Sequence, residues 1–157
     1  MIKLYADLVN RIALNSDCIR LQVGALIVKN DNILSFGWNG SPSGWDNCCE
    51  KKVYASGGGW LDVDDIEAMF PYTDDTNRYK LVTLPEVLHA ESNCLSKLAK
   101  SHESSNGAAM FLTHQPCLHC AKMIYQAGIT HVYYLNEYRD NAGVEFLNEC
   151  DVKVEFI

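Results

Sequence analysis

Positive charge is scarce in this chain. Thirteen lysines and arginines stand against twenty aspartates and glutamates in 157 residues, a formal net charge of −7. A long nucleic-acid track needs clustered basic side chains to neutralise phosphates, so no polynucleotide partner is expected. A small anionic ligand held by one or two arginines stays compatible with that balance. No apolar run approaches the roughly 20 residues of a membrane span, and no membrane partner is expected. Met1 to Arg11 is an amphipathic helical pattern carrying charges, unlike a secretory leader. Repeats and interdomain linkers are lacking too, so one domain is expected over residues 1–157, long enough to bury a real core. Seven cysteines are an odd count without an extracellular context. They fit a reducing cytoplasm, with thiols free or on metal.

Two short pieces carry the chemistry. One is His89-Ala90-Glu91 and the other Pro116-Cys117-Leu118-His119-Cys120. Imidazole and thiolate suit zinc, and a catalytic zinc keeps three protein ligands and one open position. His89, Cys117 and Cys120 are the candidate ligands, with Glu91 beside them to move protons. Cys117 and Cys120, three apart, share a helix face, and Pro116 suits a helical first turn. A helix N-terminus there favours thiolate. The stripe Cys120, Ala121, Ile124, Ala127 continues that face, and Gly128 reads as the stop. His89 and Glu91 would diverge by about 200° on a regular helix. An open first turn removes the conflict, with a helix over about residues 89–101 and His89 reaching the metal from its entry. His119 points off the cysteine face.

The remaining elements follow from periodicity. Residues 2–16 predict a helix with Tyr5, Leu8, Val9, Ile12 and Ala13 on one side. Val23–Val28 and Ile33–Trp38 predict strands joined by a turn at Lys29-Asn30-Asp31-Asn32. Asn39-Gly40-Ser41-Pro42-Ser43-Gly44 is dense in turn formers, either a surface loop or a nucleotide-contacting one. From about Asp46 to Pro85 periodicity is poor. Short helical pieces, a lid or a subunit contact are expected there. Ala108–Thr113, Thr130–Leu135 and Val152–Ile157 predict strands, and Asn141–Cys150 a short helix. A hairpin followed by helix–strand alternation gives a mixed sheet with helices on both faces. The last two strands should be parallel.

H-x-E followed by P-C-x-x-C is the signature of zinc nucleobase deaminases, and the chain resembles the deoxycytidylate (dCMP) deaminase family of the cytidine deaminase superfamily. Val23-Gly24-Ala25, Gly37-Trp38-Asn39-Gly40-Ser41-Pro42, Leu112-Thr113-His114-Gln115-Pro116-Cys117, Gln126-Ala127-Gly128-Ile129 and the Tyr134–Arg139 stretch carry the likeness. The family usually has Tyr where Trp38 stands. The likeness covers most of the chain outside a variable insertion at about 50–86, and the compact size resembles a viral or bacterial member.

That resemblance implies an α/β protein of three-layer α/β/α cytidine deaminase-like fold, with a mixed five-stranded sheet. It implies zinc-dependent hydrolysis of dCMP to dUMP, upstream of thymidylate synthesis. One zinc per chain would sit on His89, Cys117 and Cys120, with Glu91 as proton shuttle. Asn39 and Ser41 would contact the nucleotide. Tyr138 and Arg139, with Arg20, would lie near its phosphate. It further implies a homo-oligomer, a hexamer favoured, activated by dCTP with Mg2+ and inhibited by dTTP. The location would be cytoplasmic, a host cytoplasm for a viral member. Cys18 and Cys49, with Cys48, stand where some relatives carry a structural zinc. Buried free thiols are the expectation for them, since further ligands are not evident beyond Glu86. The rivals are a deaminase of another nucleoside, base or tRNA adenosine, and a non-catalytic zinc-stabilised regulatory module. The intact Glu91 speaks against the latter.

Overall fold

The computed structural model describes residues 1–55, 63–75 and 77–157. Helix α1 (Ile2–Ala13) buries Tyr5, Ala6, Val9 and Ala13, the spacing of one amphipathic face. Strands β1 (Gly24–Lys29) and β2 (Asn32–Trp38) form the hairpin. Its turn holds Asn30 and Asp31 at φ of 50° and 60°. A two-residue hairpin turn requires this left-handed pair, and Asn and Asp tolerate it better than most side chains.

After the inserted segment come α3 (Ala90–Leu98), β6 (Ala109–His114), α4 (Leu118–Gln126), β7 (His131–Asn136), α5 (Ala142–Glu149) and β8 (Lys153–Phe156). The main sheet has the order β2-β1-β6-β7-β8. β1 is antiparallel to β2 and β6, while β6, β7 and β8 run parallel. Each parallel pair is joined through a helix, because a tight turn cannot return a chain in the same direction. The mixed five-stranded sheet and the parallel last strands are as expected.

The core lies on both faces of this sheet. Ala25 and Ile27 of β1 pack with residues of α3, α4 and α5, whereas Leu26 and Val28 meet Tyr5 and Val9 of α1. The three layers α/β/α follow directly from that alternation. Gly37 allows α3 to lie against β2: a Cβ there would meet the Cys94 N at 2.6 Å and the Ala90 O at 2.8 Å. Close packing at Gly37 fixes where α3 begins, and so where His89 sits. At the far end of α4, the N–H of Gly128 donates to the Tyr125 O and that of Ile129 to the Ile124 O. This pair closes the helix as a Schellman motif.

The segment from 50 to 86 contains one of the short helical pieces expected of it and, unexpectedly, a sheet of its own. It holds a second, antiparallel sheet, β3 (Glu50–Tyr54), β4 (Tyr72–Asp74) and β5 (Asn77–Thr83), in the order β3-β5-β4, with one short helix, α2 (Val63–Met69). Tyr54 and Tyr72 are both register partners of Tyr79, their rings 5.7 and 5.5 Å from it. Lys52 lies 4.4 Å from the Tyr79 centroid and pairs with Asp74. Cross-strand aromatic and charge pairs hold this sheet, in place of the apolar alternation that makes strands legible. The Gly57-Gly58-Gly59 run and Asp62 lie outside the described residues.

The cysteine expectation is also corrected. Cys18 and Cys49 are joined as a disulfide, with Cα atoms 5.1 Å apart and a sequence separation of 31. They are neither free thiols nor half of a metal site. The pairing arises because β3 runs back beside the connection between α1 and β1. Cys48 is free and exposed. No described helix is long and apolar enough to cross a membrane.

Candidate active site

Two helix entries meet at the end of the sheet. His89 is the N-cap of α3 and Cys117 the N-cap of α4, with extended φ, ψ of −72°, 153° and −70°, 164°. The helices are therefore shorter than expected: α3 starts after His89 and ends at Leu98, and Pro116 precedes the cap of α4 and stays out of its first turn. Neither cap side chain bonds the helix amides, the usual task of a residue there. Both point at each other. His89 Nδ1 lies 3.6 Å from Cys117 Sγ and 3.4 Å from Cys120 Sγ. Zn–S bonds of about 2.3 Å and Zn–N bonds of about 2.0–2.1 Å at tetrahedral angles separate nitrogen and sulfur by about 3.5 Å. The donor atoms all fall within 4.8 Å of one another, so the set fits zinc. Among the described residues, this is the group of three ligating side chains that could hold a metal. Exposed His119 lies outside it.

The electrostatics match. Hydrogen bonding from Cys120 and then from His89 pulls the Cys117 thiol down to about 3. The Cys117 contact, with burial, pushes Cys120 up. The two sulfurs thus share one proton, which a cation would displace. His89 is raised, chiefly by its hydrogen bond with Cys117. Glu91, only 4% exposed, is raised by burial. Gly143 of α5 locks the cysteine loop in place, since a Cβ there would lie 2.0 Å from the Pro116 O.

A cavity of about 290 Å³ opens from this centre. Buried Glu91 lines it, and so do exposed Arg20, Tyr138 and Arg139. Arg139 rests over the Tyr138 ring at 5.6 Å. Arg20 Nη1 donates to Thr83 Oγ1 at 3.0 Å. Asn39 lines the cavity and braces its wall: its Nδ2 donates to the Leu21 O at 2.8 Å, and its Oδ1 accepts from the Val23 N–H at 2.7 Å. Ser41 is not brought in. Its hydroxyl donates to the Cys48 O, and it faces a separate concavity beside Trp45 and Glu86. Sequence reasoning assigned no role to Glu50, Thr83, His114 or Gln115, which also line the cavity. His114 and Gln115 adjoin the cysteine motif, and that adjacency is their signal in the sequence. Glu50 and Thr83 come from the inserted sheet and carried none.

A family model described as the cytidine and deoxycytidylate deaminase zinc-binding region matches residues 2–136. The chain belongs to this deaminase family. The deaminase match spans His89, Glu91, Cys117 and Cys120 and stops short of Tyr138 and Arg139. Among deaminase relatives, the deoxycytidylate deaminase of Enterobacteria phage T4 is 34% identical over 160 residues, covering 85% of this chain and 81% of that protein. ComE operon protein 2 of Bacillus subtilis is 33% identical over 145 residues, 92% of this chain. The chain spans 64% of the length of that relative. The crystal structure of dCMP deaminase from cyanophage S-TIM5, in complex with dCMP and dUMP, is 41% identical. It superposes with a TM-score of 0.79 over 99% of this chain and 96% of that one.

Proposed function

We propose that this deaminase hydrolyses dCMP to dUMP and ammonia. The observation that carries the reading is the buried carboxylate of Glu91 beside the His89–Cys117–Cys120 cluster, in the wall of a cavity that two arginines also line. The T4 and S-TIM5 relatives support dCMP as the substrate.

Zinc held by His89, Cys117 and Cys120 would supply Lewis acidity, lowering the pKa of a water to about 7. Glu91 accepts the proton of the water that adds at C4 of cytosine and delivers it to N3. A second transfer through Glu91 carries the remaining hydroxyl proton to the departing amine. The C4 carbonyl of uracil and ammonia result. Burial raises the Glu91 carboxyl, whereas a cation beside it would favour the charged form that accepts the proton. Arg20 and Arg139 are assigned to the phosphate and Asn39 to the nucleotide. The assignment of Ser41 has no support from its position.

The resemblance supports finer points as well. The product would feed thymidylate synthesis. dCTP with Mg2+ would activate and dTTP inhibit. The protein would work as a homo-oligomer, a hexamer favoured, in the cytoplasm of a bacterium or a virus-infected host, as one deaminase domain over 1–157 with an insertion at about 50–86. An ammonia-release screen over dCMP, CMP, deoxycytidine, cytidine and guanine, run beside a zinc assay, tests the central reading. dCMP should be the preferred substrate of a zinc-loaded protein. Preference for deoxycytidine would make it a nucleoside deaminase, and zinc without turnover a regulatory module.

A further inference from the structure

Glu50 is an acid that the proton chemistry leaves unused. It is 8% exposed and lines the active-site cavity. Among the described residues no ion pair includes it. Its partners are backbone. Oε1 accepts from the N–H groups of Ile19 and Arg20, both at 3.1 Å, and Oε2 from Ile19 at 3.2 Å. The residue before Ile19 and the residue before Glu50, Cys18 and Cys49, are bonded to each other. So residues 18–20 are tied to residues 49–50 through one covalent link and a carboxylate cradle. Thr83, the register partner of Glu50 across β3 and β5, takes the other end of Arg20 by accepting from its guanidinium.

Arg20 leaves a stretch between α1 and β1 that has no ladder of its own. A long cationic side chain on such a stretch loses conformational freedom when it binds an anion, and prior ordering reduces that loss. Here the backbone and side chain of one arginine are both anchored to one pair of residues in the inserted sheet. We propose that Glu50 is a positioning residue that sets Arg20 for the phosphate of the substrate, which gives the second sheet a part in substrate recognition. This rests on the dCMP reading above. Because the two N–H groups are committed to Glu50, the guanidinium is the group that this segment offers to the ligand.

The test is a double-mutant cycle on the zinc-loaded protein, with KM and kcat measured for dCMP and for deoxycytidine. E50A should raise KM for dCMP about tenfold, a part of what the charge-assisted arginine contact itself contributes, with kcat falling less than about threefold. Deoxycytidine, lacking the phosphate, should show less than about a twofold change in kcat/KM. E50Q keeps an oxygen acceptor and should recover most of the E50A loss. In an R20A background, E50A should add less than about twofold, since the two act as a unit. The proposal is overturned if E50A costs as much in R20A as in wild type, if E50Q is as impaired as E50A, or if deoxycytidine turnover falls in step with dCMP. Failure of the wild type to turn over dCMP would instead overturn the functional reading, and this inference with it.

Discussion

Glu91→Gln separates the proton shuttle from the metal centre. Glu91 is not one of the three converging donors, so the variant should keep its zinc. Its amide retains the shape of the side chain but cannot accept the water's proton. Loss of such a group costs about 10²–10⁴-fold in rate, or about 2.7–5.4 kcal/mol at 1.36 kcal/mol per decade. Stability should move the other way. Burial raises the folded-state pKa of Glu91 above its ordinary value of 4.5. A group raised on folding contributes stability below its unfolded pKa, and that contribution is lost as pH rises through the folded value. Wild type therefore weakens across this window and Glu91→Gln does not. The comparison belongs in chelated protein, because a cation beside the carboxylate favours its charged form. Urea unfolding of both proteins below pH 4.5 and near pH 8 should show the variant gaining on wild type at the higher pH. Turnover above a few per cent of wild type, or loss of stoichiometric zinc, would refute the shuttle assignment.

Cys117→Ala and Cys120→Ala should lose zinc and thermal stability together, because metal binding is coupled to folding; one zinc per chain in either variant would defeat the ligand set. Zinc uptake near pH 7 should release between about one and two protons, from the sulfur pair and from the raised His89, read by calorimetry in buffers of different ionisation enthalpy. Release of none would contradict a proton shared by the sulfurs. Arg139→Ala should raise KM for dCMP about 10- to 100-fold, the loss of a charge-assisted phosphate contact, and leave any deoxycytidine turnover little changed. Steady-state curves with dCTP and Mg2+ should shift the half-maximal dCMP concentration down and dTTP should shift it up; hyperbolic curves indifferent to both would mark an unregulated enzyme.

What the sequence disclosed depended on the kind of force involved. The main sheet was readable because β1, β6 and β7 are apolar runs bounded by turn residues, and α1 and α4 show one apolar stripe each. The candidate metal ligands were readable because their chemistry is confined to few residue types at fixed spacing. Their backbone setting was not: His89 and Cys117 sit outside the helices as caps, which periodicity does not resolve. The inserted sheet was missed because its stabilising partners are Tyr–Tyr, Lys–Asp and Lys–Tyr contacts between strands. Apart from Tyr72–Tyr79, these pairs join residues more than about 20 positions apart, beyond any local window. The Cys18–Cys49 bond and the Glu50 cradle fail the same way, each joining segments about 30 residues apart.

The convergence of so many distant residues on one cavity follows from strand direction. β6 and β7 are parallel, so their C-terminal ends lie together, with His114 opposite Asn136. Ligands collect at that end of parallel sheets. β6 delivers Gln115, Pro116 and Cys117 there, and the chain leaving β7 delivers Tyr138 and Arg139. β1 is antiparallel to β6, with Ala25 opposite Leu112, which brings its beginning, and thus Val23 and Arg20, to the same end. β2 reverses once more, so its last residues lead Asn39 to that end. The N-termini of α3 and α4 meet there too, and their positive ends favour thiolate and an attacking oxygen anion. A reversal of β1 would remove Arg20 and Asn39 from the cavity, and would also part α3 and His89 from their seat on Gly37 of β2. The antiparallel hairpin therefore supplies the proposed nucleotide contacts and the seat of His89, while the parallel half supplies Cys117 and Cys120.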